Sequence, residues 1–137
     1  MLDNLNFTLP TEAQWEYAAR GGNNNQTFRY SGSDDVNAVA WHKENCGNIL
    51  HNVGEKQPNA LGLFDMSGSL WELCLDTYYV YPSDPVVNPC PQWGGPYVIR
   101  GGSWTYFPSS CRVTLRAKYP DANRSVAVGF RVVMNVL

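Results

Sequence analysis

The sequence lacks the features that mark several common classes of protein. Its 10 Lys and Arg against 12 Asp and Glu give a formal net charge of −2, so no basic excess is available for nucleic acid or an anionic membrane surface. No apolar run approaches the ~20 residues needed to cross a bilayer, and the first residues lack the charged-then-apolar pattern of a signal peptide. We therefore expect neither a nucleic-acid partner nor a membrane span.

Cysteine and histidine are too few and too scattered to form a familiar metal site. His42 and His51 are the only histidines, and they lack the carboxylate grouping of a facial iron triad. The cysteines form no C-x-x-C pair, which argues against a zinc knuckle or a thioredoxin-type site; they are Cys46, Cys74, Cys90 and Cys111. Their spacing is compatible with one disulfide or with simple buried thiols.

What is present indicates one domain, because 137 residues can bury a core without extra cross-links. Thr11 as N-cap and Gln14 three residues later form a capping box, which predicts a helix that Gly21 and Gly22 end. A second short helix is predicted over residues 36–41.

Short apolar or alternating runs separated by Gly, Pro, Asn and Ser predict the strands. These runs cover residues 61–66, 70–74, 97–100 and 128–133. The connection over residues 77–96 is long for a compact domain, and connections of that length are usually functional.

The last third of the chain has a sharp internal contrast. Two anchors rich in glycine and aromatic residues, 100–104 and 129–132, flank a stretch with neither helical nor strand periodicity. That stretch combines aromatic and small hydroxyl side chains, as antibody loops do. We predict a ligand-binding surface made of Thr105, Tyr106, Phe107, Ser109, Ser110, Val113, Thr114, Leu115, Ala117, Lys118, Tyr119, Ala122, Ser125, Val126 and Ala127. For Val113, Leu115 and Val128, burial in the core is at least as good an explanation.

Four ordered blocks resemble the formylglycine-generating enzyme, or sulfatase-modifying factor, family: residues 9–22, 59–72, 100–104 and 129–131. The resemblance implies an α+β, C-type lectin-like fold with a small twisted antiparallel sheet, about two helices and much irregular structure. It also implies a single domain over residues 1–137 that lacks the N-terminal segment usual in the family.

Catalysis in that family is copper-dependent oxidation of a substrate cysteine by two thiols that follow the Gly-Gly-Ser-aromatic anchor. Soft thiolates suit Cu(I), and a pair is needed to hold it. The resemblance places one thiol at Cys111 and the other at Tyr106, and a phenol is a poor substitute for a thiolate. Unless Cys74 or Cys90 supplies the second sulfur, we expect no copper and no enzyme activity.

The resemblance also implies a structural calcium site, because this cation requires hard oxygen donors. The matching positions are Asp65, Gly68, Leu70 and Glu72, where Gly68 and Leu70 would contribute only carbonyl oxygens. The alternative is that Asp65 and Glu72 cap a turn and pair with Arg100 or Arg131. The family's other calcium loop has no counterpart in residues 48–58.

The stretch between the anchors further resembles the variable segment of proteins diversified by retroelements. Thr, Tyr, Phe, Ser, Val, Leu and Ala are all reachable from the Asn codon AAC by replacing only adenines, and they fill most positions there; Lys118 does not fit. We therefore expect a non-catalytic display domain that binds a protein or cell-surface ligand, outside or on the surface of the cell. The alternatives are an oxidase of protein cysteine and a structural fragment of a larger protein, and the sequence leaves the oligomeric state open.

Overall fold

The computed structural model describes residues 6–24, 26–120 and 124–135. Within them lie two α-helices, α1 (Glu12–Ala19) and α2 (Val36–Val39). The strands are β1 (Asn6–Thr8), β2 (Trp71–Thr77), β3 (Tyr97–Arg100), β4 (Arg116–Tyr119), β5 (Val128–Gly129) and β6 (Val133–Asn135). No helix in these described ranges is long and apolar enough to cross a membrane.

Helix α1 forms as its local signals predict. The Thr11 hydroxyl accepts from the Gln14 amide at 3.1 Å and the Gln14 side chain accepts from the Thr11 amide at 2.9 Å, which completes the capping box. Gly21 follows the last turn at φ +81, a conformation that favours glycine. The helix turns Trp15 and Ala19 into the core. Helix α2 is shorter than predicted and is capped by Asp35.

Two separate sheets organise the strands. The larger has the order β4-β3-β2-β5, with β3 antiparallel to both β2 and β4 and with β5 parallel to β2. The smaller pairs β1 with β6 in antiparallel register. The predicted run over residues 128–133 is thus divided between two sheets, and β1 and β4 had no clear signal in the sequence.

The predicted strand over residues 61–66 is wrong. Gly62 and Asp65 have φ of +74 and +57, so the backbone turns into the left-handed region twice within this run. A chain with two such turns cannot keep the extended pairing of a strand. The segment instead forms turns, and Met66 enters the core.

The core has two parts. One packs α1 against the larger sheet through Trp15, Ala19, Met66, Cys74, Val98 and Val113. The other lies beneath α2 and contains Tyr30, Val39, Ala40 and Cys111. β2 is central, and its charged residues Glu72 and Asp76 are buried, so each requires a partner. The Asp76 carboxylate accepts from the Glu12 amide at 2.7 Å, at the start of α1.

Candidate functional site

Each anchor contains an arginine that is held by carboxylates. Arg100 is fully buried, and its guanidinium donates to Glu12 and Glu16, each at 2.6 Å. Arg131 donates to both carboxylate oxygens of Glu72 at 2.7 Å. These charge-assisted contacts join each anchor to α1 or to β2. The two ends of the intervening stretch are therefore fixed by the frame of the domain.

Glycine in the first anchor allows two backbones to approach closely. Gly102 has φ +73, and a Cβ on it would lie 2.7 Å from the carbonyl oxygen of Ser110. Residues 108–111 form a short 3-10 helix whose end is thereby packed directly on the anchor. The close contact of Gly102 with Ser110 and Cys111 therefore fixes the direction in which the chain continues from the first anchor.

The predicted binding residues divide into an exposed and a buried set. Val113 is 2% exposed and Ala127 is 7% exposed, so both belong to the core and neither can line a surface. The half-buried members are Ser110, Leu115, Ala117 and Tyr119. Ala122 lies outside the described residues. The exposed members are Thr105, Tyr106, Phe107, Ser109, Thr114, Lys118, Ser125 and Val126.

Tyr106, Phe107 and Val126, together with Trp104, form what we call the aromatic face. The Tyr106 ring lies edge-on to Trp71, with the ring centroids 5.5 Å apart. The Trp104 indole donates to the Val126 carbonyl oxygen at 3.3 Å, which joins the two ends of the stretch. Tyr106 and Phe107 are about half exposed, and Val126 is 77% exposed. The aromatic face therefore presents large, partly exposed rings, and the Tyr106 ring is also packed against Trp71.

Lys43 supports this face from a distant part of the chain. Its amide donates to the Tyr106 carbonyl oxygen at 2.9 Å, and its ammonium lies 4.7 Å from the centre of the Phe107 ring. Sequence reasoning missed Lys43, and nothing in its local sequence marks it, because the contact spans more than sixty positions.

Lys118 and Tyr119 make a different set of contacts. Both lie on β4, where Tyr119 pairs with Tyr97 and Lys118 pairs with Val98. The Lys118 ammonium lies 5.3 Å from the centre of the Tyr78 ring, at the start of the long connection. Lys118 therefore contacts the long connection over residues 77–96, whereas Tyr106 contacts Trp71 and Val126 contacts Trp104.

The cysteines are all free thiols, which decides between the two alternatives that their spacing allowed. Cys111 is fully buried against α2, and burial raises its pKa to about 12, although the nearby Gly68 backbone opposes this in part. Cys46 is also buried and donates to the Trp104 carbonyl oxygen at 3.3 Å. Burial raises the pKa of Cys74 strongly as well. Cys74 and Cys111 are therefore poorly suited to act as thiolates at neutral pH.

The implied calcium residues fit the ion only in part. Asp65, Leu70 and Glu72 line one cavity of about 420 Å³, and Gly68 does not line it. The Asp65 Oδ1 atom is buried without a hydrogen-bond partner among the described residues, which suits a cation. Glu72, however, is occupied by Arg131 and by the Trp15 indole, which donates at 2.7 Å. Calcium at this place requires Arg131 to release Glu72.

Known proteins are similar to this chain over most of its length. The family described as sulfatase-modifying factor enzyme 1-like domain matches residues 3–136. The formylglycine-generating enzyme of Streptomyces coelicolor is 36% identical over 145 residues, covering 90% of this chain and 45% of that protein. The chaperone protein LppX of Paenibacillus barcinonensis is 31% identical over 144 residues, covering 93% of this chain and 49% of that protein.

Solved structures give the same family and the C-type lectin-like α+β fold. Variable protein 1 of Treponema denticola superposes with a TM-score of 0.82 at 36% identity, covering 92% of this chain and 46% of that one. PvdO of Pseudomonas aeruginosa superposes with a TM-score of 0.76 at 26% identity, covering 95% of this chain and 53% of that one. The chain thus spans about half the length of the relatives it matches. It belongs to the family of sulfatase-modifying factor enzyme 1-like domains.

Proposed function

We propose that the chain is a non-catalytic binding module that presents the aromatic face to a protein or cell-surface ligand. The observation that carries the proposal is the pair Tyr106 and Cys111. A half-exposed phenol stands where the resemblance places the first copper thiol, and the second thiol is fully buried with its pKa raised to about 12. A site with one protonated thiol and one phenol is a poor ligand set for Cu(I).

The aromatic face has the properties that recognition requires. Tyr106 and Phe107 offer large rings with few rotatable bonds, so little conformational entropy is lost on binding. The Tyr106 carbonyl oxygen accepts from the Lys43 amide and the Phe107 carbonyl oxygen accepts from the Ser110 amide, so the surface is organised before a ligand arrives. Nearby hydroxyls of Thr105 and Ser125 add hydrogen-bonding capacity at the edge. Function on the outside of the cell or on its surface agrees with such a role.

We further propose that this face is diversified by a retroelement. The support is the structural similarity to variable protein 1 of Treponema denticola at 36% identity, together with the amino acids reachable from AAC by adenine replacement. A fixed frame carrying exposed loops can accept many side chains without losing its fold. Arg100 and Arg131 would be constant in such a protein, and Tyr106 and Phe107 would vary.

Sequencing many copies of the gene from one population tests this proposal. We expect differences concentrated at the exposed positions of residues 105–126 and confined to adenines of a template repeat beside a reverse transcriptase gene. Codons for Val113 and Ala127, whose side chains are buried, should vary only among small or apolar residues. Copies that are invariant over this stretch would contradict diversification.

The second candidate function is oxidation of a protein cysteine, which is favoured by the identity to the formylglycine-generating enzyme of Streptomyces coelicolor. The test is to load the chain with copper and incubate it with a sulfatase-type cysteine peptide under oxygen. We expect no aldehyde product by mass spectrometry. Turnover that disappears in Cys111→Ser would overturn the non-catalytic proposal.

A further inference from the structure

The long connection between β2 and β3 exposes an unusual number of apolar side chains. No helix or strand is described between Thr77 and Tyr97. Val80 and Val87 are 88% and 89% exposed, and Trp93 is 79% exposed. Exposed apolar groups in this concentration mark interaction surfaces more often than they mark ordinary loops.

Two adjoining concavities of about 590 and 660 Å³ lie along this connection, the first between the connection and α1 and the second lined by Val80 and Trp93. The concavities share Tyr79, Pro82, Val86 and Pro89, so a common wall separates two neighbouring slots. We call the pair the proline groove. Aromatic and proline rings form much of its walls, and such rings are rigid and lose little freedom when they are covered.

The aromatic rings of the groove are fixed before any ligand binds. Tyr79 contacts Tyr81 and Trp93 edge-to-face, with centroid distances of 5.9 Å in both pairs. The Arg116 guanidinium lies 3.9 Å from the centre of the Tyr81 ring and donates to the Tyr79 carbonyl oxygen at 2.7 Å. Glu12 holds Arg116 in turn, at 2.6 Å. The wall between the slots is therefore supported by a buried ion pair.

The first slot is lined by four carboxylates, those of Glu12, Glu16, Asp76 and Asp84, and by one basic side chain, Arg20, which pairs with Glu16. Asp84 lines the first slot, is exposed, and forms no ion pair with any described residue. Glu16 lines the same slot, and although burial opposes ionisation, Arg100 and Arg20 hold its pKa below the usual value. A ligand that places a cation at this end gains an unpaired carboxylate as its partner.

We propose that the proline groove binds a proline-rich peptide segment that carries a basic residue at one end. A polyproline II helix has three residues per turn and needs no partner for its own backbone amides, so pairs of its side chains can enter successive slots between rigid rings. Two neighbouring slots that share Tyr79, Pro82 and Pro89 offer the rigid aromatic and proline surfaces that such a helix contacts. Asp84 receives the basic residue. This inference does not depend on the proposed role of the aromatic face.

Fluorescence anisotropy with the intact chain provides the test. The probe is a short labelled peptide of alternating leucine and proline pairs with one terminal arginine, and the control peptide has alanine in place of each proline. We expect saturable binding of the probe with a dissociation constant of about 10–100 μM, the weak range of small surfaces, and at least tenfold weaker binding of the control. Equal binding of the two peptides would overturn the proposal.

Three variants locate the binding. Trp93→Ala removes a largely exposed ring and should weaken binding at least about tenfold, while the loss of its contact with Tyr79 lowers the melting temperature only slightly. Asp84→Lys should weaken the arginine probe about three- to fivefold and leave a glutamine-ended probe unchanged. Val53→Ala, which removes an equally exposed apolar side chain outside the groove, should have no effect.

The same variants separate a peptide ligand from a second copy of the chain. Sedimentation velocity of the free protein should show no association that depends on Trp93. A concentration-dependent dimer that Trp93→Ala abolishes would mean that the groove is covered by another copy, and it would overturn the peptide proposal. Unchanged peptide binding in Trp93→Ala would overturn it as well.

Discussion

The anchor arginines and the residues between them are close in sequence but lie in opposite environments. Arg100 is 0% exposed and makes two ion pairs, whereas Tyr106, six positions later, is 49% exposed and its ring touches the frame at one edge. The frame is fixed by buried charge and by close backbone contacts. The exposed part of the surface is fixed mainly through its backbone and a few ring contacts, so the Tyr106 and Phe107 rings keep about half of their area open to a ligand.

The largest effect should come from Arg100. Replacing it by Met leaves buried Glu12 and half-buried Glu16 with one partner fewer and frees the Val113 carbonyl oxygen that the guanidinium also binds. We expect a loss of about 3–5 kcal/mol in the free energy of unfolding, measured by urea denaturation. Arg112→Met is the matched control, since Arg112 is exposed and should change stability by less than about 0.5 kcal/mol. Equal losses in both variants would remove the distinction between frame and surface.

Acidification should weaken the same cluster. The pKa of Glu16 is lowered by its contacts with Arg100 and Arg20 against the opposing effect of burial, so its contribution to stability is present above its unfolded value and is lost as pH falls through its folded value. Urea midpoints of the native chain and Glu16→Gln should therefore differ at neutral pH and converge in acid. A difference that persists at low pH would show that Glu16 acts through packing.

A backbone test follows from Gly102. Alanine there combines φ +73 with a Cβ placed 2.7 Å from the Ser110 carbonyl oxygen, so we expect a loss of about 2–4 kcal/mol from strain and displacement. Gly62→Ala is the control, because Gly62 has φ +74 and nothing lies within 4 Å of the added Cβ. Gly62→Ala should therefore lower the free energy of unfolding by only about 1 kcal/mol, the conformational cost of losing glycine at this position. Similar losses in the two variants would mean that close approach at Gly102 is unimportant.

Within the stretch itself, neighbouring residues should respond differently. Val113 is 2% exposed and packs in the core, so Val113→Ala should cost about 1.5–3 kcal/mol, measured by thermal unfolding. Thr114 is exposed, and Thr114→Ala should stay within about 0.5 kcal/mol. If the two losses were alike, the division of the predicted surface into core and displayed positions would be wrong.

The sequence predicts those elements whose signals are local. The capping box of α1 and the strand Tyr97–Arg100 appear as expected, because adjacent residues determine both. β1 and β4 were missed because their strand character arises from distant partners. The left-handed turn at Asp65 could not be predicted from its residue type, because aspartate tolerates positive φ but adopts it at only a minority of positions. Pairing across the chain, rather than propensity, decides these elements.

The candidate site follows the same rule. Composition identified Tyr106 and Phe107, whose rings the structure exposes, but it could not separate Val113 from Thr114, because a stretch without periodicity gives no inward side. Lys43 joins the aromatic face only through the fold. The alternative pairing of Glu72 with Arg131 was open in the sequence, and only the side-chain contacts establish it.

The smallest predicted effect concerns calcium, at the foot of the second anchor. The Asp65 carboxylate has a buried oxygen that finds no partner among the described residues, whereas Arg131 already neutralises Glu72, so calcium must displace a cation that is in place. With a dissociation constant of about 0.1–1 mM, 1 mM calcium would add about 0.4–1.4 kcal/mol. We expect a small rise in melting temperature over the value in chelator, lost in Asp65→Asn and kept in the surface control Asp84→Asn. Identical melting temperatures in calcium and in chelator would mean that Arg131, rather than calcium, neutralises Glu72. The second anchor would then be held by an arginine–carboxylate pair, as Arg100 holds the first.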